Sequence, residues 1–228
     1  MISIQNLSEE QIHQKLGEHY KSTGNILYWK NSPKTRLQPS AVLIPLFKSN
    51  GSWHVLFIRR AVVTGDAHSG QVAFPGGRPI PNEAFPDITA LRETQEEIGI
   101  HPKDVRIIGH LTRTRTVTNY IIYPVVGIIT WPVSLQPSPL EVSRIFTIPL
   151  DWLTKPGNFE ESYLTLPNTN AACDRTSVSS VRLSSPKSVE PSSPITIPVI
   201  TFKPYDGEVL WGASARIMVD FLKILQVI

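Results

Sequence analysis

Apolar residues gather along this chain in runs short enough to be single strands or helices. Residues 41–47 and 53–59 are apolar and rich in β-branched or aromatic side chains, and Ser49-Asn50-Gly51 between them has the chemistry of a hairpin turn. Residues 105–111, 120–130 and 195–202 predict further strands. A Pro-rich stretch to Pro139 leads into 140–146, read as mixed helix or turn, and 150–154 reads as a helical turn. Near the start, Ser8-Glu9-Glu10-Gln11 forms a capping box that opens a short helix through about Tyr20, suited to packing on the domain edge or on a partner subunit. Residues 213–225 carry helical periodicity and close the chain.

The polar stretches divide these elements. Residues 31–40, with Pro33 and Pro39, form a connector, and 60–86 form a long loop. Between Pro167 and Pro194 no hydrophobic period survives, and Ser, Pro, Thr and Asn dominate. Such a segment buries too little apolar surface to offset its ordering entropy, so 167–194 is expected to be a disordered insertion. A phosphorylated or partner-binding linker is the functional alternative. The chain then divides into an N-terminal helical extension, 1–30, and a main domain, 31–228. Strands alternating with helices and long loops fit an α/β class, an α/β/α sandwich around a mixed sheet.

The most informative helix is predicted over 87–98. Pro86 and Asp87 offer a rigid start and a capping acid, Gly99 fits the left-handed residue after a helix end, and Pro102 makes continuation unfavourable. At about 100° per residue, Ile88, Leu91, Thr94 and Ile98 fall on one side and Glu93, Glu96 and Glu97 on the other. Like charges at this spacing repel unless a cation sits among them. Hard oxygen donors at this density suit magnesium or manganese rather than zinc, and such metals handle phosphates. A solvated acidic helix face is the plainer alternative.

Composition narrows the class. The 228 residues are 41% hydrophobic and 18% charged, as in a globular protein able to bury a full core. A net charge of +3 suits an anionic substrate without arguing for nucleic acid. One cysteine, Cys173, excludes an intramolecular disulfide framework and fits a reducing compartment. The N-terminus lacks a secretory signal pattern and nothing approaches the length of a membrane span, so a cytoplasmic location without membrane contact is expected. A homodimer is compatible with the sequence, but no residue demands it.

The order Gly77, Glu83, Arg92-Glu93-Thr94-Gln95-Glu96-Glu97-Ile98-Gly99-Ile100 resembles the Nudix box, GX5EX7REUXEEXGU with U apolar. Eight residues rather than seven separate Glu83 from Arg92, and Thr94 stands at an aliphatic position. The flanks are similar to coenzyme A pyrophosphatases of that family. Leu56-Phe57-Ile58-Arg59-Arg60-Ala61 looks like the beginning of their motif, and His68-Ser69-Gly70-Gln71-Val72-Ala73-Phe74-Pro75-Gly76-Gly77 like its end. Gly65-Asp66, with one extra residue, occupies the stretch where the motif carries an arginine.

The resemblance implies a Nudix-type fold and metal-dependent hydrolysis of a nucleoside-linked pyrophosphate. For coenzyme A the products would be 3′,5′-ADP and 4′-phosphopantetheine. It implies Glu93 and Glu97 as primary ligands of Mg2+ or Mn2+, with Glu96 completing the site and a carbonyl at Gly76 or Gly77 adding a ligand. Arg92 would orient the glutamates, and Glu83 would pair with Arg92 or bind a further metal. The general base stays open among Glu93, Glu96 and the distant Glu141. Arg59, Arg60, His68, Gln71 and Phe74 are the substrate candidates, with Phe74 also suited to packing beneath the site. Arg113 and Arg115 are further candidate phosphate contacts, while Tyr205 and Trp211 are better suited to the core than to base stacking. Two alternatives stand beside this reading: a Nudix hydrolase for ADP-ribose, NADH or a dinucleoside polyphosphate, and a nucleotide-binding module without turnover.

Overall fold

A computed structural model describes residues 3–23, 37–65, 68–166 and 195–228. The expected insertion at 167–194, most of the 31–40 connector, Asp66 and Cys173 lie outside the described residues.

The hairpin forms as its turn residues require. Strand β1 (Gln38–Ser49) turns through Asn50 and Gly51, at φ 50° and 80°, into β2 (Ser52–Arg60), with Ser49 opposite Ser52. Both turn residues have positive φ, the geometry of a turn that matches strand twist. Beyond the pair Leu46–Val55 the two strands separate, and the chain from 71 to 77 enters the gap. There β3 (Val72–Ala73) pairs with β2 and β4 (Gly76–Gly77) pairs with β1. The expected loop 60–86 therefore contains two short strands, made by pairing rather than by any local pattern.

Helix α2 (Asp87–Ile98) ends at Gly99, φ 79°, whose N–H returns to the Gln95 carbonyl. Strands β5 (Val105–His110), β6 (Thr114–Arg115) and β7 (Tyr120–Ile129) follow, and β7 runs parallel to β1, so the sheet is mixed. Strand β8 (Val142–Pro149) pairs with β2 from His54 to Arg60. The expectation of a mixed helix or turn over 140–146 is corrected: β2 supplies a pairing edge, and Val142 and Phe146 bury their side chains from the resulting strand. Helix α3 (Leu150–Leu153) is the expected helical turn. Strands β9 (Phe159–Leu166) and β10 (Ile195–Phe202) form a separate antiparallel pair before helix α4 (Gly212–Ile224).

Side chains alternate across the sheet and build two cores. Val42, Ile44 and Leu46 of β1 with Trp53, Val55 and Phe57 of β2 face α4, α3 and the N-terminal helix α1 (Glu9–Thr23). The capping box at the start of α1 is made in both directions: Ser8 N–H donates to Gln11 Oε1 at 2.8 Å and Gln11 N–H to Ser8 Oγ at 3.2 Å. On the opposite face, Ala41, Leu43, Phe47, Leu56 and Ile58 meet Ala90, Ile98 and Ile100. The layers are α/β/α.

The face of α2 is rotated from expectation. Thr89, Ala90, Thr94, Glu97 and Ile98 are buried, while Ile88 is 48% exposed. Small side chains at 89 and 90 let the helix approach β1, so an apolar count misplaces the buried stripe. Asp87 makes no cap; its carboxylate lies 2.6 Å from His110 Nε2 of β5.

Candidate active site

The site is built where the 71–77 segment passes under α2. Leu43 N–H donates to the Pro75 carbonyl and Arg60 N–H to the Gln71 carbonyl, so the segment is stitched to both halves of the hairpin. Gly76 has φ 155°, and a Cβ there would meet the Ala41 carbonyl oxygen at 2.3 Å. A Cβ on Gly77 would meet the Glu93 carboxylate at 2.4 Å. The two glycines let this strand lie between β1 and the helix with no side chain in the way.

The glutamates of α2 take three different environments. Glu97 is 4% exposed and accepts the Gly76 N–H at 2.9 Å. Glu93 sits over Gly77 and takes Arg92 Nη2 at 3.0 Å. Glu96, 54% exposed, takes Arg92 Nη1 at 2.8 Å. Arg92 also donates from Nε to Glu83 at 2.8 Å and from Nη2 to the Arg78 carbonyl at 2.9 Å. Glu83 is thus paired with Arg92, and its other oxygen accepts Thr89 Oγ1 at 2.6 Å and the Ile80 N–H at 3.2 Å. The extra residue between Glu83 and Arg92 leaves this pair intact. Thr94, at the aliphatic position of the box, is buried and satisfies its hydroxyl on the Ala90 carbonyl at 2.7 Å.

These environments separate the carboxylates electrostatically. Burial pushes the Glu97 carboxyl up to about 8; the Gly76 N–H and the Arg60 charge oppose this, and Glu93 and Glu141 reinforce it. Glu93 is also raised by burial, against the pull of Arg92. Glu83 moves the other way: burial raises it, but hydrogen bonds from Arg92, Thr89 and Ile80 and the Arg92 charge together hold it below the usual range. Arg92 is raised in turn, above all by its bond to Glu83. One guanidinium therefore bonds Glu83, Glu93 and Glu96 together but makes no bond to Glu97.

The other predicted residues divide by position. Glu141 lies on the segment before β8, exposed, and its carbonyl accepts the Ala61 N–H at 2.8 Å. Its charge acts on both Glu93 and Glu97, which brings a distant residue to the site. Arg60 reaches the same centre through its effect on Glu97, whereas Arg59 pairs with Glu208 at 3.5 Å. His68 Nδ1 is 3.2 Å from Gln71 Oε1, and its ring meets the edge of Tyr120. Phe74 is 3% exposed and packs on Phe57 with ring centroids 4.8 Å apart. Arg113 and Arg115 are exposed, Tyr205 packs against Trp152 and Trp211 is 44% exposed. Sequence reasoning passed over Ser40, which donates to the Gly77 carbonyl at 2.9 Å, and Thr89. A lone hydroxyl on a strand offers no signal; Thr89 faces back along the helix toward Glu83 and carries one only once α2 is placed.

An acidic helix clamped by one arginine over a Gly-Gly strand, on one face of a mixed sheet, defines a Nudix-type domain. The NUDIX domain family matches residues 37–167, and the chain belongs to the Nudix family. Peroxisomal coenzyme A diphosphatase NUDT7 of Mus musculus is 34% identical over 125 residues, 55% of this chain and 52% of that protein. NudL of Photorhabdus laumondii, an uncharacterized Nudix hydrolase, is 37% identical over 111 residues, 49% of this chain and 58% of that one. The matched region thus spans little more than half the length of these curated relatives. The crystal structure of a Nudix hydrolase from M. smegmatis, RenU, is similar at 18% identity and a TM-score of 0.43, covering 51% of this chain and 73% of that chain.

Nudix hydrolases in general use divalent metal ions, and the residues present fit one. The donors are hard carboxylate and carbonyl oxygens. The carboxylate that Arg92 does not bond, Glu97, is pushed up chiefly by burial and further by Glu93 and Glu141, so a cation there would relieve both burial and repulsion. Among the described residues no three His, Cys, Asp or Glu side chains stand together as a ready-made metal cage. Among the same residues no helix is long and apolar enough to cross a membrane.

Proposed function

We propose that this protein hydrolyses the pyrophosphate bond of coenzyme A or its derivatives, giving 3′,5′-ADP and 4′-phosphopantetheine. The observation that carries the reading is the buried Glu97 carboxylate on the Gly76 N–H, at the end of a 56–77 segment whose two ends resemble the coenzyme A pyrophosphatase motif. The relative in Mus musculus, by its name a coenzyme A diphosphatase, supports the same substrate class.

Glu93 and Glu97 would hold the metal, with Glu96 and the Gly77 carbonyl as further donors, and either Mg2+ or Mn2+ suits them. A divalent ion bound here supplies charge neutralisation at the phosphate oxygens. Water adds across the P–O–P bridge: its oxygen joins one phosphorus, the bridging P–O bond to that phosphorus breaks, and the proton passes to a carboxylate. Glu93, Glu96 and Glu141 are the candidates for that base: Glu93 and Glu141 act on Glu97, and Glu96 acts on Glu93. Arg92 holds Glu83, Glu93 and Glu96 in place and so orients the donors. Arg59, Arg60, His68 and Gln71 are the substrate-contact candidates from the substrate segment, with Phe74 packed on Phe57. The single cysteine supports a reducing compartment such as the cytoplasm.

Product analysis tests the reading. Purified protein is incubated with coenzyme A and Mg2+ or Mn2+, beside ADP-ribose, NADH and diadenosine polyphosphates at equal concentration. Metal-dependent release of 3′,5′-ADP, fastest from coenzyme A, is expected. Faster cleavage of another compound would move the substrate, and no turnover of any would leave a binding module.

A further inference from the structure

Among the described residues the two most exposed large apolar side chains are Leu140, 83%, and Val62, 81%, and both stand next to one backbone bond. Ala61 N–H donates to the Glu141 carbonyl at 2.8 Å, and Val62 and Leu140 are the neighbours of those two residues on the side away from the β2–β8 pairing. Val63 follows at 49%. Apolar side chains exposed singly need no explanation, but three grouped at one junction do. Neither segment is loose. Glu141 N–H and Val142 N–H both donate to the Ser138 carbonyl, at 3.0 and 2.8 Å, and close a turn that contains Leu140. Val63 N–H donates to Ser69 Oγ at 2.7 Å, and a Cβ on Gly70 would stand 3.6 Å from Val62 Cγ2. Val62 thus leans on the part of the substrate segment that holds His68 and Gln71.

Both segments are tied to the α2 face of the sheet. Ser138 N–H donates to the main-chain carbonyl of Glu97 at 2.9 Å and Gln136 N–H to that of Ile98 at 2.9 Å, so the chain entering the turn is docked on the C-terminal end of α2. Val142, where the turn closes, packs in the same core as Ile98 and Ile100. From Ser138 to Leu140 the chain reaches about 7 Å at most. From the other side, Arg60 N–H donates to the Gln71 carbonyl at 3.0 Å, and further along that segment the Gly76 N–H meets the Glu97 carboxylate at 2.9 Å. Two short backbone routes therefore lead from Glu97 to one apolar rim.

The rim is uncharged. Ala61-Val62-Val63-Thr64-Gly65 carries no ionisable side chain, and neither does Pro139-Leu140. Coenzyme A beyond its second phosphate has the same character: an amide chain with no group ionised at neutral pH, ending in a thiol and lengthened by hydrocarbon when the sulfur is acylated. ADP-ribose and NADH carry a hydroxyl-rich sugar at that place, for which exposed valine and leucine offer no hydrogen-bond partner. We propose that Val62, Val63 and Leu140 are the specificity-determining rim that receives this uncharged arm while the pyrophosphate lies at the glutamates. The proposal rests on the coenzyme A reading. Apolar contact with an arm remote from the scissile bond acts on binding and not on the chemical step.

Turnover of acetyl- and hexanoyl-coenzyme A by the full chain, with Mg2+ or Mn2+, tests the rim. The two substrates differ by four methylenes, and KM should fall about tenfold from the first to the second, less than full burial of each methylene would give. In the double variant Val62→Ser/Leu140→Ser the two KM values should agree within about twofold. Tyr163→Ser, a change at a 68% exposed side chain on β9, should keep the wild-type ratio. Inhibition by 3′,5′-ADP, which has no arm, should be equal in the wild type and the double variant. Weaker inhibition of the double variant would mean a loop disturbed as a whole, and that result, or a chain-length ratio that survives in the double variant, overturns the rim. Hydrolysis of both thioesters with no chain-length ratio in the wild type overturns the rim and keeps the coenzyme A reading. No hydrolysis of either, beside cleavage of ADP-ribose, removes both.

Discussion

Replacing Glu97 with glutamine should make the metal-free protein more stable at alkaline pH while ending its metal-dependent chemistry. The folded-state carboxyl is raised from its ordinary 4.5 to about 8, chiefly by burial. A group whose folded value is raised favours the folded state fully below the unfolded value, and that contribution is lost as pH rises through the folded one. The window is therefore pH 4.5 to 8, with stability falling throughout. At ~1.4 kcal/mol per unit the whole fall is about 5 kcal/mol. Glutamine has no charge to lose and its Oε1 can still accept the Gly76 N–H, so the variant should lack this slope. The assay is urea unfolding in chelator at several pH values, comparing wild type with Glu97→Gln. Other titrating groups, including the raised Glu93 and Asp220, are common to both proteins and cancel to first order in the difference. The curves should diverge between pH 5 and 8 by several kcal/mol. Parallel curves would refute the claim that Glu97 is a buried, uncompensated acid. Magnesium or manganese should stabilise the wild type at pH 8 and leave the variant nearly unchanged.

Four further changes probe the rest of the site and its scaffold. Arg92→Gln strands Glu83, whose side chain is 4% exposed, and should cost about 3 kcal/mol in urea unfolding; adding Glu83→Gln should recover most of it, and a double variant no better than the single would break the pairing argument. Gly77→Ala should drive the Glu93 carboxylate aside and lower kcat by about a hundredfold, with circular dichroism unchanged. Thr94→Val removes a hydroxyl bonded only within its own helix turn and should shift stability by less than about 1 kcal/mol. Gly51→Ala has space around it but a φ of 80°, so a loss of about 1 kcal/mol in unfolding should come from backbone strain alone.

What the sequence reveals follows the range of the interactions involved. The hairpin at Asn50-Gly51 and the end of α2 at Gly99 are dictated by residues adjacent in the chain, and they stand where local chemistry places them. The register of α2 is not local. Ile88 and Leu91 draw an apolar-weighted reading to the wrong side, because the sheet receives Thr89, Ala90 and a glutamate instead. Strand β9, Phe-Glu-Glu-Ser-Tyr-Leu-Thr-Leu, has a polar start and becomes a strand through β10. Glu208 accepts a hydrogen bond from Arg144 across 64 positions, and no spacing rule reaches that far.

The same distinction explains why the site tolerates its departures from the Nudix box. The positions that must be held in ångströms are those tied to rigid elements: Gly76 and Gly77 on β1, Glu93 and Glu97 on α2. Between them, residues 78–86 form an irregular bridge that meets Arg92 through the Glu83 carboxylate and the Arg78 carbonyl. An added residue in that bridge changes the path but not the ends, since Glu83 is still anchored by Thr89 and by the Ile80 N–H of its own turn. A shift inside α2 would be different in kind. One residue inserted between Glu93 and Glu97 would rotate one of them by about 100° and leave the Gly76 N–H facing another side chain. The spacing that matters to the chemistry is therefore the one within the helix, and it is the one that this chain keeps.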